Sequence, residues 1–213
     1  MTQSNLSIAI YPGTFDPITL GHSTISHMLH SGMPDGENRS AEYILPTLKL
    51  TILGGMQEPG HGAAATFFAL ANIPGAFERL RRSPELWDDV IQEGLRWIAP
   101  IGTQTRQTTQ DVELGGVVIP AGSAVAAVVA SASRDETVFA NPDTFDMDRP
   151  RESNASFGYG PHFCAGHAFA RGVERISLQV LVEGLPDISL RDSKEVEFTG
   201  WEFRAPTSLN VNW

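Results

Sequence analysis

The segment best suited to chemistry in this 213-residue chain is Phe157-Gly158-Tyr159-Gly160-Pro161-His162-Phe163-Cys164-Ala165-Gly166. Cys164 is the one cysteine, and it stands where a loop with two glycines meets a helical stretch. The N–H groups at a helix start lack partners within the helix and carry partial positive charge. Sulfur placed there is favoured as thiolate, the form that acts as nucleophile or metal ligand. Gly158 and Gly160 let the backbone approach a large flat ligand, with Phe157 beside it and Gly166 just past the sulfur. Three roles are open to the sulfur: metal ligand, inert buried side chain, or nucleophile of a Cys–His pair with His162. The pair is the weakest of these, because near neighbours in sequence seldom face one another and no third orienting group is evident.

Further candidates lie upstream. Glu93 and Arg96 are three residues apart on a helical stripe. Alone, such a pair is a solvated ion pair worth about 0.2–0.5 kcal/mol. Gly54-Gly55-Met56-Gln57-Glu58-Pro59 puts an amide and a carboxyl at a break in an apolar helix. There Glu58 either carries protons or satisfies backbone groups freed by Pro59. Arg106, in a polar strand, reads by itself as an exposed residue.

Helices must position most of these groups. A short helix is expected at Ser23–Ser31 after a strand at Ser7–Tyr11, with a polar linker at Gly32–Ser40. A long apolar helix spans Ala41–Asn72 and kinks at Gly54, Gly55, Pro59 and Gly60. Pro74 opens a helix that runs to Arg82. Ser83 caps another that carries Leu86, Trp87, Val90, Ile91, Leu95 and Ile98 and stops at Pro100. Short antiparallel strands follow over Ile101–Ser133, turned at Gly115-Gly116 and Pro120-Ala121-Gly122. Residues 141–163 read as loop. Ala165–Glu183 reads as a helix with Phe169, Val173, Ile176, Val180 and Leu181 on its buried face, and short strands end the chain. The fold class is therefore mainly α with small antiparallel β-sheets.

Composition narrows the partners. The net charge of −10 argues against nucleic acid and against an anionic membrane. No apolar run is long enough to span a bilayer, and the first residues lack the basic start of a secretory signal. A lone cysteine permits no internal disulfide, so the cytoplasm is the expected compartment.

The cysteine segment is similar, position by position, to the heme-binding signature of the cytochrome P450 family, and the resemblance extends over about residues 26–213. It implies that Cys164 binds the iron of heme b (iron protoporphyrin IX), with Phe157, Gly158, Gly160, Gly166 and Gly55 against the cofactor. It implies that Arg106 and His162 anchor the heme propionates. It implies that Glu93 and Arg96 form a buried charge network with Arg149, holding the cysteine loop. The activity implied is oxygen insertion into a small organic substrate, with electrons from a ferredoxin or reductase.

Two departures from the family pattern stand out. Gln57 and Glu58 occupy the positions where the family usually carries an acid and a threonine that handle oxygen and protons; some branches resemble the arrangement here, with Gln57 bonding oxygen and Glu58 relaying protons. The chain also corresponds to the C-terminal half of the family alone, a truncated form of its fold. Apolar faces around Ile52 and Phe67 are then left for a second chain or for self-association to cover, and a non-catalytic remnant or half of a complementing pair becomes the alternative function. In front of that half, Ala9 to His22 resembles the start of a bacterial phosphopantetheine adenylyltransferase, with Thr14 and Thr19-Leu20-Gly21-His22 in matching places. Residues 1–25 are too few to build that nucleotide site, so the chain reads as a fusion of an incomplete segment, 1–25, with a heme-binding half, 26–213.

Overall fold

The computed structural model describes residues 25–213. The expected strand at Ser7–Tyr11 and the adenylyltransferase-like stretch at 7–22 lie outside the described residues. Helix α1 covers 25–30, and residues 31–40 carry no regular element. Ser40 caps α2 (Ala41–Met56), its side chain accepting from the Tyr43 amide at 3.3 Å. Pro59 has no N–H to offer the Gly55 carbonyl, so α2 closes at Met56. The chain restarts as α3 (Glu58–Ala71) with Pro59 in the first turn, where a proline is tolerated. The expected kink is thus a full break at Gln57.

Pro74 does not open the next helix. Gly75, at φ +74°, is the cap, and α4 runs Ala76–Arg82. A glycine reaches that left-handed conformation without a Cβ clash, so the turn starts one residue beyond the proline. Ser83 does not cap the next helix: it makes no side-chain cap bond and precedes a short 3₁₀ turn at Pro84–Leu86, which leads into α5 (Trp87–Ile98), ending at Ala99 just before Pro100.

Among the described residues, the strands form four separate antiparallel pairs. Strand β1 (Gln104–Gln107) pairs with β4 (Ala124–Ala127), and β2 (Val112–Leu114) pairs with β3 (Val117–Ile119). Gly115 and Gly116 both take positive φ, the conformation a two-residue hairpin turn needs. Residues 129–132, expected among strands, instead make a helical turn, α6 (Val129–Ala132). After a long loop comes α7 (His167–Gly184). Then β5 (Ser189–Leu190) pairs with β8 (Val211–Asn212), and β6 (Phe198–Thr199) with β7 (Ala205–Pro206).

Helix α3 is the centre of the fold. It packs against both α5 and α7, which also touch each other. Phe67, Leu70, Leu80, Trp87, Ile91 and Leu178 fill the shared core, so the face around Phe67, expected to stand open, is covered within the chain, while Ile52 is exposed. Each such side chain contributes about 1.5–3 kcal/mol by leaving water.

One expectation about α7 is met only in part. Its buried residues are Val173, Glu174, Leu178 and Val182, and Leu181 packs partly buried against the core, while Phe169, Ile176 and Val180 face outward. The buried face is therefore turned away from the expected one but shares Val173 and Leu181 with it. It contains a carboxyl, so counting apolar residues alone misplaces its centre. Among the described residues, no helix is long and apolar enough to cross a membrane.

Candidate functional site

The most densely bonded polar cluster joins α5 to the loop before the cysteine segment. Arg96 donates from Nε to Glu93 Oε2 at 2.7 Å and from an Nη to Oε1 at 2.8 Å. Arg149 donates its Nε to the same two oxygens at 3.0 and 3.1 Å, and the Asp146 amide adds a bond to Oε1 at 2.9 Å. Arg96 spends its remaining hydrogens on the carbonyls of Ser133, Pro142 and Thr144. Arg149 does so on those of Ala140, Asn141 and Thr144. Glu93 is 4% exposed and Arg96 2%. Two buried cations around one carboxylate are tolerable because nearly every donor has an acceptor. The cluster ties residues 133–149 to α5, so this loop is fixed although it has no regular structure.

The cysteine loop is held by its own backbone. Cys164 N–H donates to the Phe157 carbonyl at 3.0 Å, closing the loop on itself. Gly158 and Gly160 take φ of +71° and +70°, which L side chains rarely adopt. A short 3₁₀ turn at Gly160–His162 then delivers Cys164, whose carbonyl accepts from the His167 amide at 3.3 Å. Cys164 is half-buried and unpaired with any other sulfur. Gly166 is the N-cap of α7, which starts at His167 rather than at Ala165, so Cys164 stands two residues before the cap instead of directly at the helix start. His162, Phe163 and Gly166 are exposed.

Arg106 projects from β1, exposed, and bonds the Thr105 carbonyl at 2.7 Å and Gln104 Oε1 at 3.2 Å. The Gln104 amide also stands about where a side chain on Gly158 would reach. Gln104 thus lies near Gly158 as well as bonding Arg106, a proximity invisible in sequence because β1 and the loop lie about fifty residues apart.

On the α3 side, Gln57 is exposed at the helix break and its carbonyl accepts from the His61 amide at 3.0 Å. Glu58 is half-buried with Oε2 unbonded. Its Oε2 therefore makes no bond to the backbone groups around Pro59. Burial pushes the His61 imidazole below its usual range, opposed by nearby Glu58. Gly55 lies in the last turn of α2 with open space around it.

Sequence reasoning missed two residues of α7. Glu174 is 1% exposed, its Oε2 has no hydrogen-bond partner, and burial holds its carboxyl well above the usual carboxylate range. It lies on Gly62 of α3, where a Cβ would stand 2.5 Å from Oε1. Arg171 lies beside the cysteine loop, its guanidinium 4.5 Å from the centre of the Phe157 ring. The signal for Glu174 was a charged residue interrupting the stripe of Leu178 and Val182; for Arg171 there was none.

Among the described residues, no group of three or more His, Cys, Asp or Glu side chains could hold a metal ion. One soft sulfur, with the Arg106 guanidinium and the His162 imidazole as the polar groups the resemblance assigns to the heme propionates, is a set without a second metal ligand, as a metal carried in its own macrocycle requires. The donor set fits an iron porphyrin.

Comparison with known proteins agrees. The cytochrome P450 family model matches residues 77–183. The chain is 35% identical over 185 residues to nocardicin C N-oxygenase of Nocardia uniformis subsp. tsuyamanensis, covering 83% of this chain and 46% of that protein. It is 32% identical over 196 residues to cytochrome P450 monooxygenase PikC of Streptomyces venezuelae, covering 91% and 47%. The solved structure of cytochrome P450 CYP109Q5 from Chondromyces apiculatus superposes with a TM-score of 0.81 at 30% identity, over 94% of this chain and 53% of that one. The chain belongs to the cytochrome P450 family. It spans about half the length of the relatives it matches.

Proposed function

We propose that this chain forms the thiolate side of a heme site in a P450-type monooxygenase, with Cys164 as the axial ligand. The observation that carries the reading is the closure of the loop by the Cys164 amide on the Phe157 carbonyl. That bond presents a lone, half-buried sulfur from a backbone fixed on one side by α5 and on the other by α7. Arg106 would supply positive charge and His162 a ring N–H for the propionates, and Phe157, Gly158, Gly160, Gly166 and Gly55 would border the macrocycle. When bound, a thiolate-ligated heme favours O–O cleavage by pushing electron density toward the iron.

On the α3 side, Glu58 is the group able to hold and pass a proton, and Gln57 the group able to offer an amide hydrogen bond. Glu93, Arg96 and Arg149 keep the loop in register. The substrate is a small organic molecule, and the electrons come from a ferredoxin or reductase. The names of the relatives support this reading, since two are an N-oxygenase and a monooxygenase. The location in keeping with it is the cytoplasm. The experiment is a hemin titration of the purified chain, expected to saturate near one heme per chain and to lose that saturation in Cys164→Ala.

A second reading is favoured by one observation. Leu50, Ile52 and Met56 on α2 are more than half exposed. A side chain set of that kind is stable in water only at a cost, so a second polypeptide or a second copy covers it. Under this reading the chain is one half of a complementing pair and is not catalytic alone.

A further inference from the structure

Arg171 has more contacts at the cysteine loop than a surface arginine needs. Its guanidinium stacks on the Phe157 ring at 4.5 Å. One of its Nη groups lies 2.8 Å from His167 Nδ1. A guanidinium can only donate, so Nδ1 accepts and the imidazole proton sits on Nε2. Its Nε donates to Gln92 Oε1 at 3.2 Å, fixing it to α5 next to Glu93. Phe157 and His167 are the two residues that bond the backbone of Cys164: the Phe157 carbonyl accepts from its amide, and the His167 amide donates to its carbonyl. A closed circuit results, from Cys164 to Phe157, to Arg171, to His167 and back to Cys164.

We propose that Arg171 is a positioning residue for the Cys164 sulfur, clamping the two residues that hold its backbone and fixing a positive charge beside the loop. The clamp is a property of this chain's own side chains; its effect on iron rests on the reading of Cys164 as ligand. The guanidinium's flat shape matters, because one face stacks on an aromatic ring while the edge makes directed bonds. Lysine would keep the charge and lose the stack. The site is half-buried, and burial pulls the Arg171 guanidinium below its usual range while Glu174 and Cys164 oppose that shift. A charge held there stabilises an electron added at the iron more than the same charge in water would.

The test uses the full chain as wild type, R171Q and R171K. Without heme, amide hydrogen exchange reads the clamp. Exchange at Cys164 and His167 should quicken at least tenfold in both variants, with the α5 amides unchanged. Loaded with hemin, the midpoint potential should fall in R171Q and stay at the wild-type value in R171K, a separation that a merely structural role would not give. Wild-type exchange rates in a folded R171Q overturn the clamp. If R171Q does not fold, wild-type rates in R171K overturn it and faster rates support it. An unchanged potential in R171Q overturns the electrostatic part. A wild-type chain that binds hemin without a thiolate ligand overturns the reading of Cys164, and the exchange data still decide the clamp.

Discussion

Arg149 donates its Nε hydrogen to both carboxylate oxygens of Glu93, from 56 residues further along the chain. The same carboxylate already holds Arg96, so a single side chain joins α5 to the loop that leads to the cysteine segment. Removing it strands two cations, one of them fully buried. Glu93→Ala should cost about 3–5 kcal/mol of folding stability, the scale for breaking a buried pair from one side. Urea unfolding of the two proteins measures it. A loss below about 1 kcal/mol would mean that the network is solvated.

The seam between α3 and α5 depends on the absence of a side chain at Gly94. A Cβ there would stand 3.0 Å from Thr66 Cβ and overlap the Thr66 hydroxyl. Gly94→Ala should destabilise by about 1–3 kcal/mol, as overpacked cores do. Thr66→Ala removes the obstruction and a buried hydroxyl that has no hydrogen-bond partner. The double variant should therefore regain most of the loss. Additive losses in a double-mutant cycle would place the strain elsewhere.

Glu174 should give the fold a distinctive pH dependence. Its folded-state carboxyl is raised by burial, so between the unfolded carboxylate range and the raised value the folded state holds one more proton than the unfolded state. Its contribution is fully present below the unfolded pKa, and stability is lost as pH rises through the folded value. Glu174→Gln keeps the shape without the titration. The stability difference between variant and wild type should shift in favour of the variant from pH 5 to pH 8 in urea unfolding. A difference that stays constant across that range contradicts the buried, protonated carboxyl.

The outward side chains of α2 should drive association. Leu50→Gln, Ile52→Gln and Met56→Gln together remove apolar surface without touching the core. The parent chain should show a mass that rises with concentration by light scattering, and the triple variant should stay monomeric. A monomeric parent at the same concentrations removes the need for a covering partner.

The sequence announced the helices and the cysteine loop because both have local causes. Pro100 marks a helix end and Pro59 an interruption through bonds missing within one turn. Gly115-Gly116 marks a hairpin for the same reason. The family signature around Cys164 is also local, and the residues 77–183 matched by the family model contain it. What stayed hidden depends on packing between distant segments. The buried side of α7 is set by where α3 lies, and the carboxyl of Glu174 is tolerated there only because Gly62 leaves room. The start of α4 shifted from Pro74 to Ala76 because the backbone conformation of Gly75, which no pattern of hydrophobicity reports, turned the chain. Arg171 reaches Phe157 and Gln92 from three different segments, so no spacing in the chain reveals it.

The central claim is that Cys164 ligates heme iron as a thiolate. The most direct measurement is the absorption spectrum of the hemin-loaded chain, reduced and exposed to carbon monoxide, beside that of Cys164→Ser with its fold checked by circular dichroism. The account predicts the red-shifted Soret band of a thiolate-ligated iron in the wild type and its loss in the serine variant. A folded, heme-loaded wild type without that band, or the same band in Cys164→Ser, would contradict it.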